Sequence, residues 1–207
     1  MAKRTPNNKR SKPDHYSDQA RKQGYLARSV YKLEEISTKF SLLKRGGTYL
    51  DMGAAPGSWS QYLVRNLGPR LRLVSVDIQE MKYHGPDEVH SVILGDMYDH
   101  DVQKEIAEAG PYDALLSDAA PSTMGNRTVD TSASAAMAEH LIFLAESLVK
   151  PGGNLIIKIF QGGEEQNLLK LVREQYQTAK MFKPKACRKE SFESYLVGVG
   201  RQAAVKP

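Results

Sequence analysis

Lys158 stands in an apolar run, Leu155-Ile156-Ile157-Lys158-Ile159-Phe160, where a buried strand should carry hydrocarbon alone. A lysine is almost never fully buried without a partner. Unless it snorkels to solvent from an edge strand, it needs an acid nearby. Asp118 is placed to be that acid: it ends the preceding run, Leu115-Leu116-Ser117-Asp118-Ala119-Ala120-Pro121, and neighbouring parallel strands present their carboxyl ends side by side.

Three more acids follow or end apolar runs. Asp51 opens the segment Asp51-Met52-Gly53-Ala54-Ala55-Pro56-Gly57-Ser58-Trp59, where Gly53 and Gly57 would let the backbone approach a ligand closely and Asp51 could meet a positive group. This segment is neither Gly-x-Gly-x-x-Gly nor a phosphate loop ending in Lys-Ser or Lys-Thr, which disfavours pyrophosphate. Asp77, 24 residues beyond Gly53, can accept hydrogen bonds from both hydroxyls of a ribose. Asp96, in Gly95-Asp96-Met97, can accept from the exocyclic amine of adenine. Any one of these acids could be an ordinary loop or cap residue; together they suit an adenosine that lacks phosphates.

Such residues act only if a scaffold brings strand ends together. A helix is expected from Ser17, with Leu26, Val30, Leu33 and Ile36 at three- and four-residue intervals and Lys32 beside its core face. Strands are expected at 48–52, 71–77, 89–94, 112–117 and 154–160, alternating with helices near 58–66, 101–109 and 131–149. A helix near 164–176, a strand near 178–182, a basic loop over 183–189 and a strand over 194–199 follow. The pattern predicts an α/β, Rossmann-like fold with a mostly parallel seven-stranded sheet and helices on both faces. The last two strands lie too close for a crossover helix, so they should pair antiparallel.

The 207 residues fit one domain, large enough to bury a core without disulfides or metal. The net charge of +5 hides an asymmetry, because residues 1–32 carry nine Lys and Arg against Asp14 and Asp18, which leaves the remainder at −2. A basic block on a nearly neutral body suits a polyanion partner, or else a solvated tail. Residues 1–15 have almost no apolar side chains and are expected to form a flexible basic arm ahead of a single domain over 16–207. Cys187 is the only cysteine, which excludes an internal disulfide and Cys-rich zinc sites. With no apolar stretch near the roughly 18 residues of a membrane span and no signal-like N-terminus, a soluble cytoplasmic protein is expected.

Lys32 ahead and Glu193 behind extend Asp118 and Lys158 to an ordered Lys-Asp-Lys-Glu set, and with them the chain resembles the RrmJ/FtsJ family of large-subunit ribosomal RNA 2′-O-methyltransferases. The likeness is carried by Arg28 to Ile36, Asp51 to Trp59, Leu116 to Pro121, Ile157 to Gly162 and Glu193 to Val197. It implies an S-adenosylmethionine-dependent methyltransferase fold with Lys32, Asp118, Lys158 and Glu193 as catalytic tetrad. It further implies Gly57, Trp59, Asp77, Asp96 and Asp118 as cofactor contacts. The implied substrate is a uridine of 23S ribosomal RNA in the peptidyl-transferase A-loop, within the ribosomal particle, with a monomeric enzyme and neither DNA nor membrane as partner. Where the family reads Gly-Gly-Trp, this chain has Gly57-Ser58-Trp59, acceptable if position 58 is helical. Glu193 is chosen over Glu190 because Tyr195 and a β-branched run follow it, as in the family.

For such chemistry a 2′-oxygen must be aligned with the methyl group and relieved of its proton. Desolvation, the sulfonium and Lys32 would lower the pKa of Lys158, whereas Asp118 and Glu193 would oppose that shift. Lys158 is therefore either a neutral base or an ammonium that steadies the growing negative charge. Cytosine C5 transfer needs a nucleophilic thiol, and Cys187 falls in a basic loop away from the glycine segment. Amine methylation commonly uses a Pro-Pro-aromatic loop, which Asp118-Ala119-Ala120-Pro121 is not. Rival readings are ribose methylation of the tRNA anticodon loop, a non-catalytic RNA-binding assembly factor and, least favoured, a nicotinamide-dependent dehydrogenase.

Overall fold

The computed structural model describes residues 14–188 and 190–203. Most of the expected basic arm, residues 1–13, lies outside them. Its proposed end does not: Asp14 caps the first helix by accepting from Ser17 N at 3.0 Å, and it also pairs with Arg28.

The single leading helix expected from Ser17 is two. Helix α1 covers His15–Lys22 and α2 covers Val30–Phe40. Gly24, at φ +69°, takes the left-handed conformation that ends a helix cheaply only at glycine. The connecting turn is pinned from outside, by Gln61 Nε2 and the Arg65 guanidinium donating to the Gly24 carbonyl at 2.8 and 3.0 Å. Leu26 consequently leaves the apolar stripe and is exposed. The break frees α2 to lie on the sheet with Lys32 buried beneath it.

Among the described residues seven strands follow: β1 Thr48–Met52, β2 Arg72–Asp77, β3 His90–Leu94, β4 Tyr112–Ser117, β5 Val149–Phe160, β6 Tyr176–Phe182 and β7 Glu193–Arg201. Helices α3 Ser58–Leu67, α4 His100–Ala109, α5 Arg127–Leu148 and α6 Glu165–Gln175 separate them. The sheet order is β3-β2-β1-β4-β5-β7-β6. Strands β1 to β5 pair parallel, and β7 lies antiparallel between β5 and β6. Strand order reverses between β1 and β4, the place where open α/β sheets bind ligands.

Each face of the sheet has its own core. Leu50, Val74, Leu115, Ile157 and Leu196 pack with α4, α5 and α6, while Tyr49, Leu73, Leu116, Ile156 and Tyr195 pack with α2 and α3. Helix α5 starts four residues before the expected 131 because Asn126 caps it, accepting from Thr128 N at 3.1 Å and Val129 N at 3.3 Å. The β1–α3 turn needs Gly53, at φ +70°, since a Cβ there would sit 2.4 Å from Ala119 Cβ.

Candidate active site

The two-residue period of a strand puts Lys158 on the same face as Ile156, and Glu193 on the same face as Tyr195 and Val197. Lys158 lies opposite Tyr195, and Phe160 opposite Glu193. Because β7 runs antiparallel, its first residue falls beside the carboxyl ends of β4 and β5. Lys32 reaches the same spot from α2. Four residues spread over 162 positions of chain thus meet at one corner of the sheet.

They meet as two ion pairs. Lys158 Nζ lies 3.2 Å from Asp118 Oδ1 and also donates to the Asp118 backbone carbonyl. Lys32 Nζ lies 2.8 Å from Glu193 Oε1. Tyr195 joins the pairs: its hydroxyl donates to Asp118 Oδ1 at 2.7 Å, and Lys32 Nζ sits 6.0 Å from its ring centre. Burial would push the Asp118 carboxyl up, but Lys158, Lys32 and the Tyr195 hydroxyl outweigh it and hold Asp118 below the usual carboxylate range. Burial pulls Lys32 down, and Asp118 and Glu193 more than reverse that. Burial and Asp118 push the Tyr195 phenol well above its ordinary value, so it stays a donor.

Two clefts adjoin this cluster. One, of about 310 Å³, is lined by Gly53, Asp77, Asp96 and Asp118 together with Ile78 and Tyr98, a size usual for a small-molecule site. Asp77 Oδ2 accepts from Ala55 N and Oδ1 from Gln79 N, each at 2.8 Å, so the backbone aims this carboxylate. Asp96 is aimed similarly by Tyr98 N at 3.0 Å. The other cleft, of about 350 Å³, is lined by Arg28, Lys32, Arg188, Phe192 and Glu193. Asp118 faces the first and Lys32 and Glu193 the second.

Asp51, Gly57 and Trp59 line neither cleft. Gly57, at φ +108°, heads α3, and a Cβ there would lie 2.7 Å from Tyr83 Cβ, so its bareness serves a close approach of two loops. Trp59 is buried, donates from Nε1 to the Ser29 carbonyl at 2.9 Å, and packs 6.1 Å from Tyr195. Through that contact it fixes α3 against the corner where the two ion pairs meet. Ser58 is the first residue of α3, which meets the helical requirement for a side chain at that position.

Asp51 ends a buried relay that no sequence motif announces. Gly85 N donates to His90 Nδ1 at 2.9 Å, which leaves Nε2 as the protonated nitrogen. Nε2 donates to Ser75 Oγ at 2.8 Å, Ser75 to Ser60 at 2.9 Å, and Ser60 to Asp51 Oδ2 at 2.7 Å. Burial pushes Asp51 up to about 7 against the Ser60 hydrogen bond. Burial, with His84, pulls His90 down to about 4 from 6.5. A histidine kept neutral in the fold loses stability for the fold as pH falls, because the unfolded chain takes up a proton first. His90→Gln should therefore gain on the parent protein below pH 6.5, by about 1.4 kcal/mol per pH unit down to about 4. Urea unfolding of both proteins across that range tests this. A constant difference would show that His90 accepts its proton freely in the folded state.

Tyr195 and Cys187 enlarge the expected set. Tyr195 sits two residues from Glu193, the spacing that shares a strand face, and that was its available signal. Cys187 lies outside the 310 Å³ cleft, as expected, but it is buried against Glu193 and Lys32. Burial first and Glu193 second push its thiol up to about 12, which removes it as a nucleophile at neutral pH.

Residues 25–201 match the FtsJ-like methyltransferase family. The chain is 46% identical over 192 residues to ribosomal RNA large subunit methyltransferase E of Treponema denticola, a match covering 93% of this chain and 96% of that one. A solved Plasmodium falciparum protein described as a ribosomal RNA methyltransferase superposes with a TM-score of 0.72 at 28% identity, covering 86% of this chain and 98% of that one. The Aeropyrum pernix fibrillarin structure with natively bound S-adenosylmethionine shares the fold, with a TM-score of 0.57 at 15% identity over 83% of this chain and 76% of that one.

Proposed function

The chain belongs to the FtsJ-like methyltransferase family, and from that premise we propose that it transfers the methyl group of S-adenosylmethionine to a ribose 2′-hydroxyl of large-subunit ribosomal RNA. One observation carries the reading: the Lys158–Asp118 and Lys32–Glu193 pairs, joined by Tyr195, stand between an acid-lined cleft and a cleft whose walls carry Arg28, Lys32 and Arg188. The relatives' designation as large-subunit enzymes supports ribosomal RNA over tRNA. Within that RNA we assign a uridine of the A-loop, modified on the assembled particle by a cytoplasmic monomer. No helix among the described residues is long and apolar enough to cross a membrane.

The donor set of the first cleft fits the cofactor. Its polar side chains include three carboxylates, Asp77, Asp96 and Asp118, which suit hydroxyl and amine donors and a cation and would repel a diphosphate. Asp77 takes the ribose hydroxyls and Asp96 the adenine amine, with exposed Ile78 and Tyr98 beside the base. When bound, S-adenosylmethionine supplies a methyl group already activated by its sulfonium.

What remains for the chain is to place an oxygen and manage its proton. Alignment of bound reactants can contribute roughly 7 to 11 kcal/mol. Lys158 Nζ spends two valences on Asp118; the third, a lone pair or an N–H, is the one left for the 2′-oxygen. Lys32 and Glu193 orient the ribose from the other side, and Tyr195 holds Asp118 in place for both.

Asp77→Ala removes two hydroxyl acceptors and should weaken S-adenosylmethionine binding by about 2 kcal/mol, roughly thirtyfold. Titration calorimetry measures it. Unchanged affinity would take Asp77 out of the site.

A further inference from the structure

Phe160 and Phe192 belong to neither core of the sheet. They pack on each other instead, with centroids 4.9 Å apart at 63°, and the Arg127 guanidinium lies 5.6 Å over the Phe192 ring. Phe160 follows Lys158 by two residues, Phe192 precedes Glu193 by one, and the Phe192 carbonyl is tied to Gln161 N at 2.8 Å. Two large rings are thus held half-buried at the rim of the catalytic corner, where burial in the core cannot be what they serve. Phe192 lines the same cleft as Arg28, Lys32 and Arg188.

Aromatic rings crossed by an arginine are the surface on which unpaired RNA bases stack. Arg127 is the first residue of α5 and exposed, so its side chain can lift and close over an inserted base without disturbing the helix. Cations along the same cleft would meet the adjoining phosphates.

Resting on the functional reading above, we propose that Phe192, braced by Phe160 and covered by Arg127, is a stacking platform for an unpaired RNA base beside the ribose that is methylated. It is a substrate-positioning element and does not touch the transferred group. It makes RNA recognition depend on an aromatic face, so the modified ribose must lie in a segment whose bases are splayed out of a helix.

The test compares Phe192→Ala, Phe192→Leu and Phe192→Trp with the parent protein in steady-state methylation of large ribosomal subunits taken from cells lacking the enzyme, at saturating S-adenosylmethionine. Loss of one stacked base should raise the subunit concentration giving half-maximal rate by about five- to hundredfold in the Ala and Leu variants. The kcat, the cofactor affinity and the salt dependence of binding should stay close to the parent values, and Trp should restore tight binding. Leu matching Trp would reduce Phe192 to packing and overturn the proposal, as would a fall in kcat with the half-saturating concentration unchanged. If Phe192→Ala does not fold, the Leu and Trp pair decides alone. A parent protein that transfers no methyl to the subunits would overturn the functional reading itself, and the platform with it.

Discussion

Lys158→Ala should bind S-adenosylmethionine as the parent protein does, lose stability because Asp118 is left without its nearest cation, yet remain folded and lose about a hundred- to ten-thousandfold in kcat. Its amine lies outside the residues that line the 310 Å³ cleft, so the ground-state complex should not register its removal. In the proposed mechanism only the transition state, in which the 2′-oxygen gives up its proton, has need of it. Lys158→Arg divides the two forms of the mechanism. A guanidinium cannot take a proton at neutral pH yet still donates hydrogen bonds, so partial activity in the Arg variant identifies Lys158 as a donor, and activity as low as that of Ala identifies it as a base. Single-turnover kinetics with cofactor and RNA both saturating give the comparison. Most of kcat surviving in Lys158→Ala would contradict both forms.

Asp118→Asn should fail differently. Asp118 receives Lys158 and Tyr195 and lines the 310 Å³ cleft proposed for the cofactor, so neutralising it should lower cofactor affinity, rate and stability together. Removing one partner of a buried pair leaves an uncompensated charge, a loss of about 3 kcal/mol. Lys32 feels Asp118 as its largest favourable influence and would be left with Glu193 alone. Urea unfolding, calorimetry and turnover on the same preparation show whether the three losses travel together. Normal stability and normal cofactor affinity would remove Asp118 from the centre of the cluster.

Lys158 was legible because an ammonium in an apolar strand has few physical excuses, and Asp118 because neighbouring strand ends lie together. Lys32 and Glu193 carry no such signal by themselves. A lysine on an amphipathic helix and a glutamate before a strand are commonplace, and only the ordered pattern of the family picked them out. Strand positions were legible to within a few residues, as in β1 and β4. The insertion of β7 between β5 and β6 was not, since strand order follows from packing across the whole sheet and local periodicity is silent about it. The break at Gly24 was not legible, because the helix expected from Ser17 rests on an apolar spacing that begins only at Leu26, and the outside partners Gln61 and Arg65 that hold the break lie some forty positions away. The Asp51–Ser60–Ser75–His90 relay draws on four elements of the chain, with no recurring interval to reveal it.

The transferred methyl group itself can be followed. Large ribosomal subunits from cells lacking the enzyme are incubated with the protein and S-adenosylmethionine labelled in the methyl group, and the RNA is then hydrolysed in alkali. A 2′-O-methyl ribose cannot cyclise, so the label should survive in an alkali-resistant dinucleotide whose 5′ member is a single uridine, and Lys158→Ala should yield none. Label released in mononucleotides, on a base, would contradict this.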